Sequence, residues 1–246
     1  MRLALMVEQL QSGVPGGAGR YSAELARALE RTKAPEDELT GWLARRRGRR
    51  LDLPIPIRSL RTPSLLLSRL WERGLGPAPR EADVVHATTL LVPPKRRAAL
   101  VVTIHDVVPW THPETLTPHG VGFHRRMGAR AASEADLVVT PTLAVADQVR
   151  QVLAPRAEVI AVQPGFSSDL AVPDDARERR NRHVVTDDYL LFVGTAEPRK
   201  GLDTLLNALS EPELVGQSLV VVGPQVWGGF DVRQEAEARG SRTASP

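Results

Sequence analysis

The sequence predicts an α/β protein: a doubly wound, Rossmann-like parallel sheet followed by an incomplete second unit of the same type. Three observations carry this. Short, continuous apolar runs such as LALMV (Leu3 to Val7) and DLVVT read as strands buried on both faces of a parallel sheet. Stretches with helical spacing, each about a dozen residues long, separate these runs and imply right-handed crossovers. After a polar stretch the strand-helix-strand order begins again, once only.

Taken in order, LALMV is the first strand, and a long loop containing GVPGGAGR follows it. YSAELARALE places Leu25, Ala28 and Leu29 on one helical face, and ELTGWLA reads as a second strand. From Arg45 to Pro79 the periodic signal weakens, although PSLLLSRLWERG has the pattern of a short amphipathic helix that packs on the sheet or touches a membrane. ADVVHATT is a short strand ending at His86, and ALVVTIHDVVP a longer one ending at His105 and Asp106. GVGFHRRMGARAASEA is helical and DLVVT is a strand. Thr142 is placed to cap the helix LAVADQVRQVL, and AEVIAVQPG closes the first half.

These signals divide the chain into a domain over residues 1–170, a polar linker over 171–187 and a partial domain over 188–246. The second domain opens on YLLFVGT, read as a buried strand, and continues through GLDTLLNALS to SLVVVGP. The remainder carries one short helical pattern and a polar tail. A single βαβ unit leaves a face of its sheet uncovered.

The composition excludes several classes. Of the 246 residues, 42% are hydrophobic and 25% charged, which suits a globular protein. There is no cysteine, which rules out disulfides, zinc–thiolate sites and cysteine nucleophiles. MRLALMVEQLQSG lacks a small-residue cleavage site and reads as a strand rather than a signal peptide. No apolar run reaches the length of a membrane span, so a cytoplasmic protein is expected, soluble or peripheral at the inner membrane face. The net charge is +3, with arginine concentrated in ARRRGRRL. Arg45, Arg46, Arg47, Arg49 and Arg50 are either a solvated basic loop or a contact for an anionic membrane surface. Aromatic residues are only 4% and none interleave with the arginines, so nucleic acid is not an expected partner.

In open α/β sheets ligands bind beyond the carboxyl ends of the strands, and the residues with chemical potential fall there. Gly16, Gly17 and Gly19, with Arg20 beside them, open a helix whose amino end can receive a phosphate, or else they only permit a turn. The spacing is not that of a dinucleotide fingerprint, since roughly eight residues separate Val7 from Gly16. An NADP-dependent oxidoreductase survives only by assigning Arg45 to Arg47 to a 2′-phosphate. Walker A and G-x-S-x-G motifs are absent. His105 and Asp106, ending a strand, suit a sugar hydroxyl or proton transfer, against the alternative of a histidine bonded to a loop carbonyl. His86 has the same two readings. His112, His119 and His124 lack metal-ligand spacing, and no metal site is expected. In GTAEPRKG, Gly194 leaves room beside the backbone, Pro198 stiffens the loop, and Arg199 with Lys200 forms an anion clamp beside Glu197.

Read together, GGAGRYSAELARAL, DVVHATT, VVTIHDVVP, ADLVVTPTLAVADQV, VIAVQPG and LLFVGTAEPRKGLDTLLNAL resemble the family 4 glycosyltransferases of the GT-B fold. This large retaining group includes many bacterial mannosyl- and glucosyltransferases. The resemblance implies two Rossmann-like domains, a nucleotide-diphosphate sugar as donor substrate, and no cofactor or obligatory metal. By resemblance, Gly16, Gly17 and Gly19 approach the donor phosphates, His105 lies near the transferred sugar, and Lys200 with Arg199 contacts the diphosphate. His86, Arg20 and Glu197 are further candidate substrate contacts. The acceptor is left open, with lipid-linked and cell-envelope polysaccharide acceptors both common among relatives.

One departure from the family pattern stands out. Relatives carry an acidic pair, two glutamates eight positions apart, after the PRK stretch; Glu235 and Glu237 are too close together to match it. The chain is therefore expected to be truncated in its second domain and weak or inactive in transfer by itself. The other class left open is a non-catalytic or partner-dependent binding protein.

Overall fold

The computed structural model describes residues 1–45, 51–167, 170–182, 188–214, 216–224, 226–227 and 230–239. The chain forms two compact units, Met1–Ser167 and Ser168–Pro246.

The first unit is a seven-stranded parallel sheet. Its strands are β1 (Arg2–Met6), β2 (Glu38–Leu43), β3 (Ile57–Ser59), β4 (Val84–Ala87), β5 (Ala99–Thr103), β6 (Leu137–Thr140) and β7 (Glu158–Ala161), in the spatial order 3-2-1-4-5-6-7. Strand order therefore reverses between β1 and β4, which pair directly with Leu5 opposite His86. The helices are α1 (Gly16–Thr32), α2 (Ser64–Trp71), α3 (Val108–Thr111), α4 (Pro118–Glu134) and α5 (Leu143–Leu153). Thr142 caps α5 as its sequence position predicts, accepting from the Val145 amide at 3.2 Å.

Alternation along β1 explains the two apolar layers. Ala4 and Met6 face Leu67 and Trp71 of α2, Met127 and Ala131 of α4, and Ala146 and Val149 of α5. Leu5 and Val7 face the opposite layer with Ala26 of α1, Leu39, Leu43 and Ile55. Burying continuous apolar strands between two helical layers is the usual solution for a parallel sheet. Arg130 of α4 is buried against the first layer. Its guanidinium donates to the carbonyls of Trp71, Val92 (2.7 Å) and Pro93 (3.2 Å) and pairs with Glu134.

Several boundaries differ from the sequence reading. His86 lies inside β4 rather than at its end, and β5 stops at Thr103, two residues before His105. The sequence reading missed β3, a three-residue edge strand in the Arg- and Pro-rich stretch. A strand this short has too few residues to show a period.

The second unit contains α6 (Ala176–Arg182), β8 (Tyr189–Val193), α7 (Leu202–Leu209), β9 (Ser218–Val222), the short pair β10 (Val226–Trp227) and β11 (Phe230–Asp231), and α8 (Val232–Ala238). The stretch expected to be a linker thus holds a short helix. β8 and β9 pair in parallel. Leu202 and Leu206 of α7 and Val232 and Ala236 of α8 pack with Phe192, Leu219 and Val221 on one face. On the other face Leu191 is 57% and Val193 69% exposed. This corrects the expectation of a buried strand: among the described residues, helices cover only one face of the two-stranded sheet.

Candidate functional site

In the first unit the carboxyl ends of β1, β4 and β5 lie at the reversal of strand order, where α/β sheets bind ligands. A 3-10 turn, Glu8–Gln11, and a short loop lead from β1 to α1. No side chain caps α1, whose preceding residue is Pro15, and its first turn carries no acidic residue. Gly16 adopts φ +62°, a left-handed conformation suited to glycine. Gly19 is buried, and a Cβ there would lie 2.4 Å from that of Pro15, whereas one on Gly17 would meet nothing within 4 Å. The three glycines therefore differ in role: Gly16 turns the chain, Gly19 allows the helix to pack, and Gly17 leaves the amino end open. Arg20 is exposed and makes no hydrogen bond or ion pair among the described residues.

Behind this turn, α1 is tied to the strand ends by hydroxyl groups. The Ser22 hydroxyl lies 2.7 Å from that of Thr88, which donates to the Met6 carbonyl. The Tyr21 hydroxyl meets that of Thr103 at 3.2 Å, and Thr103 meets Nε2 of His86 at 2.8 Å. The Tyr21 ring stands edge-on to the imidazole of His105, with centroids 4.8 Å apart. Nε2 of His105 lies 2.9 Å from the Thr88 carbonyl. A carbonyl only accepts, so Nε2 carries the proton and Nδ1 is the acceptor of the neutral ring. Among the described residues Nδ1 has no partner.

His105 is thus bonded to a neighbouring loop carbonyl and also keeps a free nitrogen; the two sequence readings coexist. Asp106 is exposed, and its carboxylate accepts from the Val108 amide at 3.1 Å, fixing the start of α3. His86 is pushed down to about 4, first by burial and then by the nearby charge of His105, so it is neutral near pH 7. Burial pushes the Tyr21 phenol up, partly opposed by its bond to Thr103. Sequence reasoning found the two histidines and missed Tyr21, Ser22, Thr88 and Thr103. Tyr21 falls one residue after the glycine-arginine run, a signal available in the sequence.

The second unit carries its own candidate cluster. Gly194 follows β8 and its amide donates to the Val222 carbonyl at 2.9 Å. Gly223, after β9, has φ +143°, and a Cβ there would lie 2.0 Å from the Gly194 carbonyl oxygen. A Cβ on Gly194 would meet only the Phe192 ring, at ordinary contact distance. Packing therefore demands glycine at Gly223, while Gly194 leaves space at the strand end. Pro198–Lys200 form a 3-10 turn, and Gly201, at φ +67°, starts α7. Glu197 accepts from the Thr195 hydroxyl and from Nε of Arg199, the latter at 2.7 Å. Burial raises the Glu197 carboxyl, but these hydrogen bonds and the charges of Arg199 and Lys200 outweigh it and hold the group below the usual carboxylate range. Arg199 is consequently oriented by Glu197, while the ammonium of Lys200 is exposed and makes no hydrogen bond or salt bridge among the described residues, acting on Glu197 by its charge alone.

Arg45 is exposed on the first unit, and Arg46, Arg47, Arg49 and Arg50 lie outside the described residues. Among the described residues no helix is long and apolar enough to cross a membrane, and no group of three histidine or carboxylate side chains is placed to hold a metal ion.

Comparisons with known proteins extend this. Over 97% of the chain the fold matches the crystal structure of Anabaena HepE in complex with UDP-glucose, with 19% identity and a TM-score of 0.62. The HepE complexes with UDP (20%, 0.58) and with UDP and glucose (19%, 0.63) match over the same share. This chain spans 65% of the length of the HepE chain. A search of curated protein sequences returns no match. The family described as Glycosyltransferase Family 4 matches residues 15–170, which start one residue before α1 and include the whole polar cluster around His86 and His105. With that match over more than half its length, the chain belongs to glycosyltransferase family 4.

Proposed function

We propose that the chain binds a nucleotide-diphosphate sugar and takes part in transferring its sugar, with retention, to an acceptor hydroxyl. The observation that carries this reading is the polar cluster of the first unit. There His105 keeps Nδ1 free while Tyr21 and Ser22 join it to the uncapped start of α1. Anabaena HepE, whose fold the chain shares, is the relative solved with UDP-glucose.

In this reading the amides around Gly16, Gly17 and Gly19 meet donor phosphate oxygens. The free Nδ1 of His105 accepts from a sugar hydroxyl, and Asp106 fixes the loop that carries it. Arg20 and His86 are secondary contacts, His86 acting through Thr103. Transfer breaks the bond between the anomeric carbon and a diphosphate oxygen and forms one to the acceptor oxygen, whose proton leaves with the diphosphate. Charge accumulates on the departing diphosphate, and Lys200 and Arg199, the latter oriented by Glu197, offset it. No metal or cofactor is invoked. The acceptor is proposed to be a lipid-linked or cell-envelope polysaccharide, with the Arg45 to Arg50 run meeting an anionic membrane at the cytoplasmic side.

Family membership displaces the NADP reading. Transfer by these 246 residues alone is expected to be weak or undetectable, because the acidic pair that relatives use has no match after Lys200. The exposed apolar face of β8 and β9 favours one second reading, a partner-dependent protein. Calorimetric titration of the purified chain with UDP-glucose, GDP-mannose, UDP and NADPH tests the proposal. Binding of at least one nucleoside diphosphate or its sugar is expected. Binding of NADPH alone, or of none of the four, overturns it.

A further inference from the structure

Tyr21 stands between the two histidines. Its ring meets His105 edge-on, and its hydroxyl reaches His86 by way of Thr103. The register of the sheet explains this grouping. His86 lies opposite Leu5 of β1 and Val101 of β5. Leu5 packs in the layer that contains Ala26 of α1, and Thr103, two residues beyond Val101, faces that same side. Tyr21 of α1 therefore meets Thr103 and His86 as one group. The charge of His105 also acts on His86, so the two rings are within electrostatic reach of each other.

The protons of this group can be counted. Thr103 is 2% exposed, and its hydroxyl meets only Tyr21 and His86 among the described residues. Its one proton goes to one of them, because a buried donor without an acceptor is costly. Either order leaves one proton over, on Nδ1 of His86 or on the Tyr21 oxygen. Acidity decides between them. A phenol, with a usual pKa of about 10, is a better donor and a poorer acceptor than an alcohol. Burial keeps Tyr21 protonated, and His86 is neutral near pH 7. Tyr21 thus donates to Thr103, and Thr103 to Nε2 of His86, which leaves the single proton of that ring on Nδ1. Nδ1 has no partner among the described residues, yet it is not one of their enclosed unpartnered atoms, so it meets open space. His105 holds the opposite tautomer, with its Nε2 proton on the Thr88 carbonyl and the Nδ1 lone pair free.

We infer that His86 donates its Nδ1 proton to an oxygen of the transferred sugar, and that Tyr21 and Thr103 are positioning residues that fix the tautomer it needs. This rests on the reading that a nucleotide-diphosphate sugar binds at the polar cluster. It gives His86 a contact of its own, beyond the link through Thr103. The opposite tautomers select the chemistry of the ligand. A sugar hydroxyl both donates and accepts, so hydroxyls satisfy the His86 proton and the His105 lone pair alike. An ionised phosphate oxygen only accepts, and it would set negative charge against that lone pair. Sugar hydroxyls therefore fit the two rings, and the diphosphate belongs to the α1 turn and the basic pair.

Imidazole nitrogen NMR at pH 7, assigned with His86→Gln and His105→Gln, tests the tautomers without ligand. His86 is expected to carry its proton on Nδ1 and His105 on Nε2; an Nε2 proton on His86 overturns the inference. Thr103→Val removes the donor to Nε2 and should move His86 towards the other tautomer, whereas Thr103→Ser should keep the parent signal. A His86 tautomer unchanged in Thr103→Val overturns the positioning role. His105, held by Thr88, should stay as it is in both variants, and unchanged melting temperatures keep them comparable. Calorimetry then compares UDP-glucose with UDP, and GDP-mannose with GDP. For the pair that binds, Thr103→Val should weaken the sugar nucleotide about three- to tenfold and leave the bare diphosphate unchanged. The sugar nucleotide should also shift the His86 Nδ1 signal. Equal losses for the two ligands, or binding that leaves that signal unmoved, overturn donation to the sugar. Should none of the four bind, the nucleotide-sugar reading fails and donation falls with it, while the tautomers are decided by the ligand-free spectra.

Discussion

At the scale of single residues, the glycines of the α1 turn separate packing from ligand approach. Alanine at Gly19 would put a Cβ 2.4 Å from that of Pro15, and something must shift. We expect Gly19→Ala to lower stability by about 1–3 kcal/mol, measured by denaturant unfolding. Gly17→Ala meets nothing within 4 Å and should keep or raise stability, because alanine favours a helix over glycine by about 1 kcal/mol. If the donor phosphates approach this turn, Gly17→Ala nevertheless weakens nucleotide-sugar binding. Unchanged affinity in that variant would argue that Gly17 serves the turn alone. His86 supports a pH prediction. Its folded value near 4 lies below the usual 6.5, so between these values the unfolded chain binds a proton that the folded chain does not. Stability from this group is complete above pH 6.5 and is lost as pH falls towards 4, by about 2–3 kcal/mol at the lower end. His86→Gln removes this titration, and its unfolding free energy should fall less steeply than that of the parent from pH 7 to 4.5. Parallel curves would contradict the assignment.

At the scale of elements, the sheet was legible because burial on both faces turns β1, β5 and β6 into continuous apolar runs. Helices between them repeat Leu and Ala at helical spacing. Thr142 was legible as a cap for the same local reason. What was not legible depends on distance in sequence. Tyr21 and Thr103 are hydrogen-bonded across 82 positions, and Ser22 and Thr88 across 66, and no local pattern announces either pair. Likewise the exposure of Leu191 and Val193 depends on which face α7 and α8 cover, not on the strand's own composition. Arg130 is a further case: within its helix it looks like another surface arginine, yet it closes three carbonyls of two other segments. Arg130→Met should lower stability by about 3–5 kcal/mol, since those carbonyls and Glu134 lose their partner together. A loss under 1 kcal/mol in chemical denaturation would show that water replaces the guanidinium, and that α2 and α4 do not depend on it.

At the scale of the whole molecule, the two units bury their strands to different degrees, and opening should follow burial. In the first unit β1, β4 and β5 are interior strands of a seven-stranded sheet, with helices packed on both faces of β1. In the second, β8 and β9 form a two-stranded sheet covered on one face, and each is an edge. A pair of strands with one apolar face covered is marginal by itself, while the larger sheet has several pairings to lose before its central amides reach water. Hydrogen exchange on the intact chain should therefore show amides of β8 and β9 exchanging at least about a hundredfold faster than those of β4, a difference of about 2.7 kcal/mol in opening free energy. The cluster of Glu197, Arg199 and Lys200 sits between these strands in sequence, so its loop opens with them. A nucleotide-diphosphate sugar that engages Lys200 should slow exchange in β8 and β9 selectively, by the mass-action stabilisation of the state it binds. Slowing confined to the first unit would place the whole of binding at the α1 turn and the two histidines, leaving the basic pair of the second unit without a part in it.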